Sequence, residues 1–565
     1  MNPFLQAIAQ QLSECIGWSE EDIAVAIEVP PDPKMGDYGF PCFPLAKTLR
    51  KSPAAIAADL AEKIAPGDLI QSARGVGPYL NVEVRRDRLT GFVLGEIFEQ
   101  GNRYGTWDIG QGKTVVIDFS SPNIAKPIGI HHIRTTAIGH ALYRIYEAMG
   151  YRCVGINHLG DWGTQFGTVI VAYKRWGKEQ DLQASPIRYL LDLYVCFHRE
   201  AEREPSLKDE ARAWFKRLED GDEEAIRLWR LFRDLSLSEL KRLYDRMGIH
   251  FDYYWGESFY NDRLDDTMAK MELKGLLRES EGALVVDLSA YDLPTYLIRK
   301  SDGATLYQTR DIAAAIYRFE QFHFSKMLYV VGAQQNLHFQ QLFKVLELMG
   351  YEWVKNCIHV NFGTMRFKDG RMSTRKGNII FLEDVLERAT ELTRAIIEEK
   401  NPDLPDREAV AWDVGMGAVL FADLSTRRIK DVAFDWDEVL NFDGETGPYL
   451  QYTHARFCSV LRKYGRPVTG KVDFSLLKEE WEWAVIRLLE RFPNTVRAAA
   501  DQYEPAFVAS HLINLATEAN RFYNRCRVIG PDQALTKARI LLVYGVKTVL
   551  AKGLYLLGMK APEQM

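Results

Sequence analysis

The sequence predicts an α/β protein on a parallel, doubly wound sheet that a helical segment interrupts, with a small α+β unit before it and an all-α tail after it. Three observations carry this. Residues 114–119 (TVVIDF) form an apolar run of strand length, and Ile133, Ala137, Ile138, Ala141, Leu142, Ile145, Tyr146 and Met149 then recur at helical spacing until Gly150. Residues 153–156 supply the next apolar run, completing a βαβ unit and hence a parallel sheet. After Asn378 the pattern is helical nearly to the end of the 565 residues.

Taken in order, residues 1–110 form a first unit. It opens on an amphipathic helix (MNPFLQAIAQQLSECIGWSEED), passes through the turn-rich PPDPKMGDYGFPCFP at 30–44, and is predicted helical through 46–63 and extended around 77–84. Residues 111–378 make the nucleotide-binding core, with an insertion at about 170–295 whose charged stretch, roughly 186–247, is helical. The α/β pattern resumes with a strand at 327–331, a helix near 335–349 and a strand at 358–362. Residues 379–446 form a helical connection, and 447–565 a helical tail in which GRPVTGKVD (465–473) is a turn.

A net charge of −6 would not suggest a nucleic-acid partner, but its distribution is uneven. From residue 447 onward, 17 Lys+Arg stand against 10 Asp+Glu, a net of +7 on a remainder of −13. A basic tail on an acidic body suits a polyanion. Seven cysteines (15, 42, 153, 196, 357, 458, 526), odd in number and without a CxxC pair, point to a reducing cytoplasm and away from a zinc site. No apolar run reaches the length of a membrane helix, and the first residues lack the basic and cleavage regions of a signal peptide.

GQGKT at 110–114 imitates a phosphate-binding loop, yet Trp107 stands where its first glycine belongs and a strand follows instead of a helix. The segment SSPNIAKPIGIHHIR (120–134) lies between a strand and a helix start, where unpaired N–H groups and the helix dipole suit phosphate. Lys126, His132 and Arg134 add donors around the same point. A second basic loop, KDGRMSTRKGN (368–378), carries Arg371, Ser373, Thr374, Arg375 and Lys376 between glycines and can stabilise charge on a pyrophosphate leaving group. In TLYQTRDIAAA (305–315), Tyr307 and Asp311 share a helix face, and a carboxylate beside an aromatic can grip a guanidinium. From spacing alone Asp311 could equally pair with Arg310 or Arg318.

Together these segments resemble the arginyl-tRNA synthetases, a class I aminoacyl-tRNA synthetase family, over nearly the whole chain. SSPNIAKP, NHLGDWGTQFG (157–167), DGATLYQTRDIAAA (302–315), VVGAQQNLHFQQLF (330–343) and RMSTRKGN (371–378) are similar to that family's signatures, as are GAVLFADLSTRR (417–428), FDWD (434–437) and GPYLQYTHAR (447–456). The resemblance implies a Rossmann-like class I synthetase catalytic domain with an inserted helical region, an α+β N-terminal domain that touches the outer corner of tRNA, and an all-α C-terminal anticodon-binding domain. It implies an arginine–tRNA ligase: ATP, with Mg²⁺, activates L-arginine to arginyl-adenylate, which passes to the 3′-terminal ribose of tRNA(Arg). A cytoplasmic monomer, whose arginine activation needs bound tRNA, is implied as well.

The family's roles fall on matching positions. Lys126, His132, Arg371, Ser373 and Lys376 are the catalytic candidates, and Pro127, Gly129, His131, His132, Met372 and Ser373 the ATP-binding ones. Asp118, Ser121, Asn123, Tyr307, Asp311 and Gln335 match arginine-binding positions. Tyr79, Asn81, Tyr449, Gln451, Tyr452 and Arg456 match tRNA-binding ones. GIHH at 129–132 stands where class I enzymes carry HIGH, with Gly129 for the first histidine and His131 for the glycine that lets adenine approach the backbone. An imidazole there must turn away or crowd the nucleotide, which motivates a rival reading as a paralogue that binds tRNA or arginine without catalysis. A free-standing nucleotidyltransferase has no use for the basic tail.

Overall fold

The computed structural model describes residues 2–30, 32–124, 126, 128–301, 303, 307–367 and 380–565. The chain divides into two compact units. One holds Met1–Tyr104, Ser459–Arg491 and Thr517–Val549, and the other Gly105–Cys458, Phe492–Ala516 and Leu550–Met565. The tail beginning at residue 447 is therefore shared between the units.

The first unit starts with α1 (Pro3–Ile16), which Asn2 caps through the Phe4 N–H and which buries Phe4, Ile8 and Leu12 as one stripe. There follow α2 (Glu20–Ala26), β1 (Tyr38–Pro41), α3 (Ala46–Leu49), α4 (Pro53–Lys63), β2 (Ile70–Val76), β3 (Tyr79–Val84) and α5 (Arg86–Gln100). The three strands pair antiparallel in the order β1-β3-β2. The single helix expected over 46–63 is broken. Arg50 turns left-handed at φ 52°, Ser52 caps the Ala55 N–H, and Pro53 restarts the helix at its first position. The tail segments of this unit meet it through buried polar contacts: Tyr38 donates to Glu490 at 2.9 Å and Arg487 to the Asp37 carbonyl at 2.7 Å.

The second unit contains β4 (Thr114–Asp118), α6 (Ile133–Ala148), β5 (Arg152–Ile156), α7 (Thr164–Trp176), α8 (Glu179–Ala184), α9 (Pro186–Ala201), α10 (Ser206–Glu219), α11 (Glu223–Met247), α12 (Leu264–Leu273), β6 (Leu277–Ser280), β7 (Ala283–Val286), β8 (Tyr296–Arg299), α13 (Tyr307–Phe322), β9 (Lys326–Tyr329), α14 (Asn336–Leu348), β10 (Cys357–His359) and β11 (Met365–Phe367). After residue 380 come α15 (Leu382–Lys400), α16 (Arg407–Leu424), β12 (Val432–Phe434) and α17 (Trp436–Val439). The tail is α18 (Gly447–Tyr464), α19 (Glu480–Asp501), α20 (Ala506–Arg525) and α21 (Gln533–Leu556), divided between the units.

Its central sheet is parallel throughout, in the order β10-β9-β4-β5, as the βαβ pattern predicts. Val115, Val116 and Ile117 of β4 are fully buried, which is why that strand reads as a continuous apolar run. Gly139 lets α6 lie directly on the strand end, since a Cβ there would fall 2.3 Å from the Phe119 ring. The inserted region is not wholly helical: β6, β7 and β8 form an antiparallel meander. A two-residue turn at Glu281 and Gly282, both with positive φ, joins β6 to β7, the backbone that a tight hairpin requires. Strands of four residues are too short to show a period. All seven cysteines are free, and no helix among the described residues is long and apolar enough to cross a membrane.

Candidate active site

In an open parallel sheet, ligands bind beyond the carboxyl ends of the strands. Here β4 ends at Asp118, a buried carboxylate whose Oδ2 accepts from Arg318 Nη1 at 2.8 Å and whose Oδ1 accepts from the Ser121 hydroxyl at 2.9 Å. Ser120 and Ser121 both sit in the left-handed region (φ 71° and 45°), a strain of roughly 1–2 kcal/mol each. The surroundings hold Ser120 in place. Its N–H donates to Thr135 Oγ1 at 3.0 Å, its hydroxyl lies 2.6 Å from that of Tyr244, and Thr135 in turn donates to the Val330 carbonyl at 2.6 Å. Asn123 bridges to Gly160, where an added Cβ would fall 2.2 Å from Asn123 Oδ1.

Beyond this turn Lys126 places its ammonium 5.1 Å over the Tyr194 ring of α9, and burial lowers its pKa. Gly129 donates its N–H to His132 Nδ1 at 3.1 Å, which leaves the His132 proton on Nε2, free to donate outward. Burial, and after it the neighbouring His131, push the His132 pKa down to about 3, so the ring is neutral. The His131 ring is exposed, with its centroid 4.0 Å from that of His132. Burial lowers its pKa as well.

Both flanks of residues 368–379 return to the GIHHIR stretch. The Ile130 N–H donates to the Ile380 carbonyl at 3.0 Å, the Leu382 N–H to the Ile128 carbonyl at 2.8 Å, and Gly129 bridges Phe381. Arg134 reaches the other flank, donating to the carbonyls of Thr364 (3.4 Å), Lys430 (2.8 Å) and Arg428 (3.2 Å). Arg371, Met372, Ser373, Thr374, Arg375 and Lys376, together with Pro127, lie outside the described residues.

Asp118 leads on to α13 through its pair with Arg318. Tyr307 is 46% exposed, its ring 5.2 Å from that of His338. The Asp311 side chain is 24% exposed, enough to meet a ligand, while Arg318 turns to Asp118 and Arg310 Nε donates to Asn261 at 2.9 Å. Its Oδ2 accepts from His338 Nε2 at 2.8 Å and its Oδ1 lies 3.5 Å from His158 Nε2. Burial would raise its pKa, but the bonds to His158 and His338 hold it well below the carboxylate range. Gln335, half-buried, lies one turn before His338 at the start of α14. His158 and His338 were not singled out from the sequence, although both lie inside the segments NHLGDWGTQFG and VVGAQQNLHFQQLF. An imidazole leaves no periodicity to read. Close by, Glu257 is pushed up to about 7 by burial, and Asp161 accepts from the Ser258 N–H and hydroxyl at 2.8 and 2.7 Å.

The expected tRNA contacts divide. In the first unit, half-buried Tyr79 and Asn81, which is only 3% exposed, line a hollow of about 300 Å³ with Glu28, Pro30, Met35 and Gly39. In the second, Tyr452 is 40% exposed with the Arg456 guanidinium 4.9 Å over its ring, and Tyr449 is half-buried at the start of α18. Gln451 is a correction. It is fully buried against Gly417, and its amide donates to the Asp413 carbonyl at 3.0 Å and the Lys560 carbonyl at 2.9 Å, so it has no surface to offer a nucleic acid.

The sequence and the fold both match known proteins. Residues 94–436 match the model of the tRNA synthetases class I (R) catalytic domain, 450–565 that of the DALR anticodon binding domain, and 3–84 that of the arginyl tRNA synthetase N terminal domain. The chain is 50% identical over 558 residues to an arginine–tRNA ligase of Halothermothrix orenii, covering 99% of this chain and 98% of that protein. It is likewise 50% identical over 566 residues to one of Clostridioides difficile, covering all of both chains. Its fold superposes on the Thermus thermophilus arginyl-tRNA synthetase with a TM-score of 0.83 at 28% identity over 99% of each chain.

Proposed function

The chain belongs to the arginyl-tRNA synthetase family, and from that premise we propose how its crevice carries out arginine–tRNA ligation. The protein is an arginine–tRNA ligase, with ATP, L-arginine and tRNA(Arg) as its partners. The supporting observation is that the end of β4 leads into the turn before α6, whose start suits phosphate, and pairs through Asp118 with Arg318 of α13, the helix that carries a carboxylate suited to a guanidinium. ATP, carried as its Mg²⁺ complex, lies with its phosphates against the amino terminus of α6. Gly129 and Pro127 line the nucleotide, and His132 Nε2 donates to a phosphate oxygen. Lys126, with Arg371, Met372, Ser373 and Lys376, stabilises the charge that develops on pyrophosphate. Arginine lies with its guanidinium on Asp311, flanked by Tyr307 and Gln335, and with its ammonium end towards Asn123, Ser121 and Asp118.

The arginine carboxylate attacks the α-phosphate, pyrophosphate leaves, and the adenylate passes arginine to the 2′-hydroxyl of the terminal ribose, releasing AMP. No nucleophile on the protein is needed, so catalysis is positioning and charge stabilisation. Asp118 works through Arg318 and Ser121: its charge is already balanced, which favours orientation over direct pairing. We assign residues 1–110, through Tyr79 and Asn81, to the outer corner of tRNA. The core at 111–378 takes ATP and arginine, 379–446 follows the acceptor stem, and 447–565, through Tyr449, Tyr452 and Arg456, reaches the anticodon arm. The protein acts as a cytoplasmic monomer. Arginine-dependent ATP–pyrophosphate exchange tests this reading. Exchange is expected only when tRNA(Arg) is present, and none in either condition would overturn it.

A further inference from the structure

Two imidazoles face the Asp311 carboxylate, and their far nitrogens decide which one carries an extra proton. His338 Nδ1 lies 3.5 Å from the Tyr296 hydroxyl, which can donate to it. A neutral His338 with its proton on Nε2 therefore satisfies both Tyr296 and Asp311. His158 differs. Its Nδ1 faces the Trp255 carbonyl at 3.0 Å, and a carbonyl only accepts, so Nδ1 must carry a proton. In a neutral His158 the bare lone pair of Nε2 would then face the Asp311 carboxylate at 3.5 Å. Only the doubly protonated ring suits both neighbours.

We propose that His158 is an imidazolium in the arginine-free enzyme, standing in for the substrate's charge beside Asp311, and that arginine binds by expelling its Nε2 proton to solvent. This rests on the reading that Asp311 receives the guanidinium. A guanidinium beside an imidazolium is repelled. Once Nε2 loses its proton, its lone pair accepts an N–H from the guanidinium, so one proton transfer turns a competitor into an acceptor. Arginine side chains carry five donors and no acceptor, which fits the acceptor pair that results. His158 is a positioning residue whose protonation sets the affinity for arginine.

The charges around His158 come from several elements. Asp118 at the end of β4 and Arg318 on α13 balance each other at 2.8 Å, and the Tyr260 ring stands 5.7 Å away. Asp161, Glu257 and Arg310 complete the cluster. Burial alone would lower the His158 pKa. The Asp311 and Asp118 carboxylates outweigh burial and Arg318, leaving it above its ordinary value.

Arginine binding to the full chain, measured calorimetrically with tRNA(Arg) in two buffers of different ionisation enthalpy, counts the protons released. Up to one proton is expected at and below the His158 pKa, with the arginine KM rising towards tenfold per pH unit below it and the ATP KM flat. His158→Gln keeps an acceptor without the proton, so its arginine KM should lose this slope while its affinity for tRNA stays unchanged. Absence of proton release by the wild-type enzyme between pH 6 and 8.5 overturns the proposal, as does an unaltered slope in His158→Gln. Asp311→Ala separates the two ideas: an unchanged arginine KM in that variant removes the guanidinium reading itself.

Discussion

Arg134 and Asp423 close an ion pair of 2.6 Å in which neither side chain is more than 1% exposed. Arg134 spends its remaining donors on three backbone carbonyls at residues 364, 428 and 430, so a single guanidinium ties the helix after GIHH to α16 and to the strand leading into 368–379. Burial lifts the Asp423 pKa to about 6 even beside Arg134, so Arg134→Met leaves a buried carboxyl that must take up a proton and has lost its partner. A loss of about 3–5 kcal/mol in urea unfolding is expected, together with loss of ATP–pyrophosphate exchange. Arg134→Lys keeps the charge but not the planar fork, and should fall between. A stability within 1 kcal/mol of wild type would show that the pair is dispensable.

Asp311→Ala should lower kcat/KM for arginine on the order of a thousandfold, because the guanidinium then enters a crevice with its buried acceptor gone. Its tRNA affinity, measured by filter binding, should stay within about twofold. Undiminished arginylation would take Asp311 out of the site.

His131→Gly tests the departure from HIGH. An exposed ring beside His132 has room to turn from the nucleotide, so turnover should stay within about threefold of wild type. A large gain would mean that the imidazole crowds the nucleotide, and a large loss that it contacts phosphate.

Gln451 and Tyr452 are neighbours with opposite roles. Gln451→Leu strands the Asp413 and Lys560 carbonyls and should cost about 2 kcal/mol of stability, with tRNA affinity following only through folding. Tyr452→Ala, at an exposed site, should weaken tRNA binding at unchanged Tm. The reverse pattern would return Gln451 to the tRNA surface.

His140 in α6 is buried, and burial lowers its pKa to about 3. The unfolded chain takes up a proton near pH 6.5 that the folded chain refuses, so this contribution to stability is full above pH 6.5 and is lost as pH falls towards 3. At pH 5 the loss is about 2 kcal/mol. Denaturant unfolding of His140→Gln should show a correspondingly shallower pH dependence between pH 7 and 5. Parallel curves for variant and wild type would refute this.

The β4–α6–β5 core was legible because a continuous apolar run gives way to a helical period and back, which burial on both faces of a parallel sheet imposes. That Tyr307 and Asp311 share one helix was legible from their spacing, but the partners of Asp311 were not. Arg318, two turns along the same helix, turns instead to Asp118 on a strand far away in sequence. Spacing along one helix cannot say which strand end faces it. The β6–β8 meander escaped because its strands are shorter than any detectable period. Gln451 was misread because a buried amide satisfied by two distant carbonyls looks, in sequence, like any polar residue on a helix.

The pairing of β4 with β9 carries a consequence for the birth of the molecule. Asp118 lies opposite Tyr329, so about 200 residues separate the two central strands. At ribosomal rates of roughly 5–20 residues per second, β4 emerges about 10–40 s before its partner. For that interval one edge of an apolar strand stays open in the nascent chain, the kind of template on which neighbouring chains pair and aggregate. The inserted helices are completed during the same wait. Mutations that loosen them should therefore show first as lower yield of native protein, before any change in the finished enzyme.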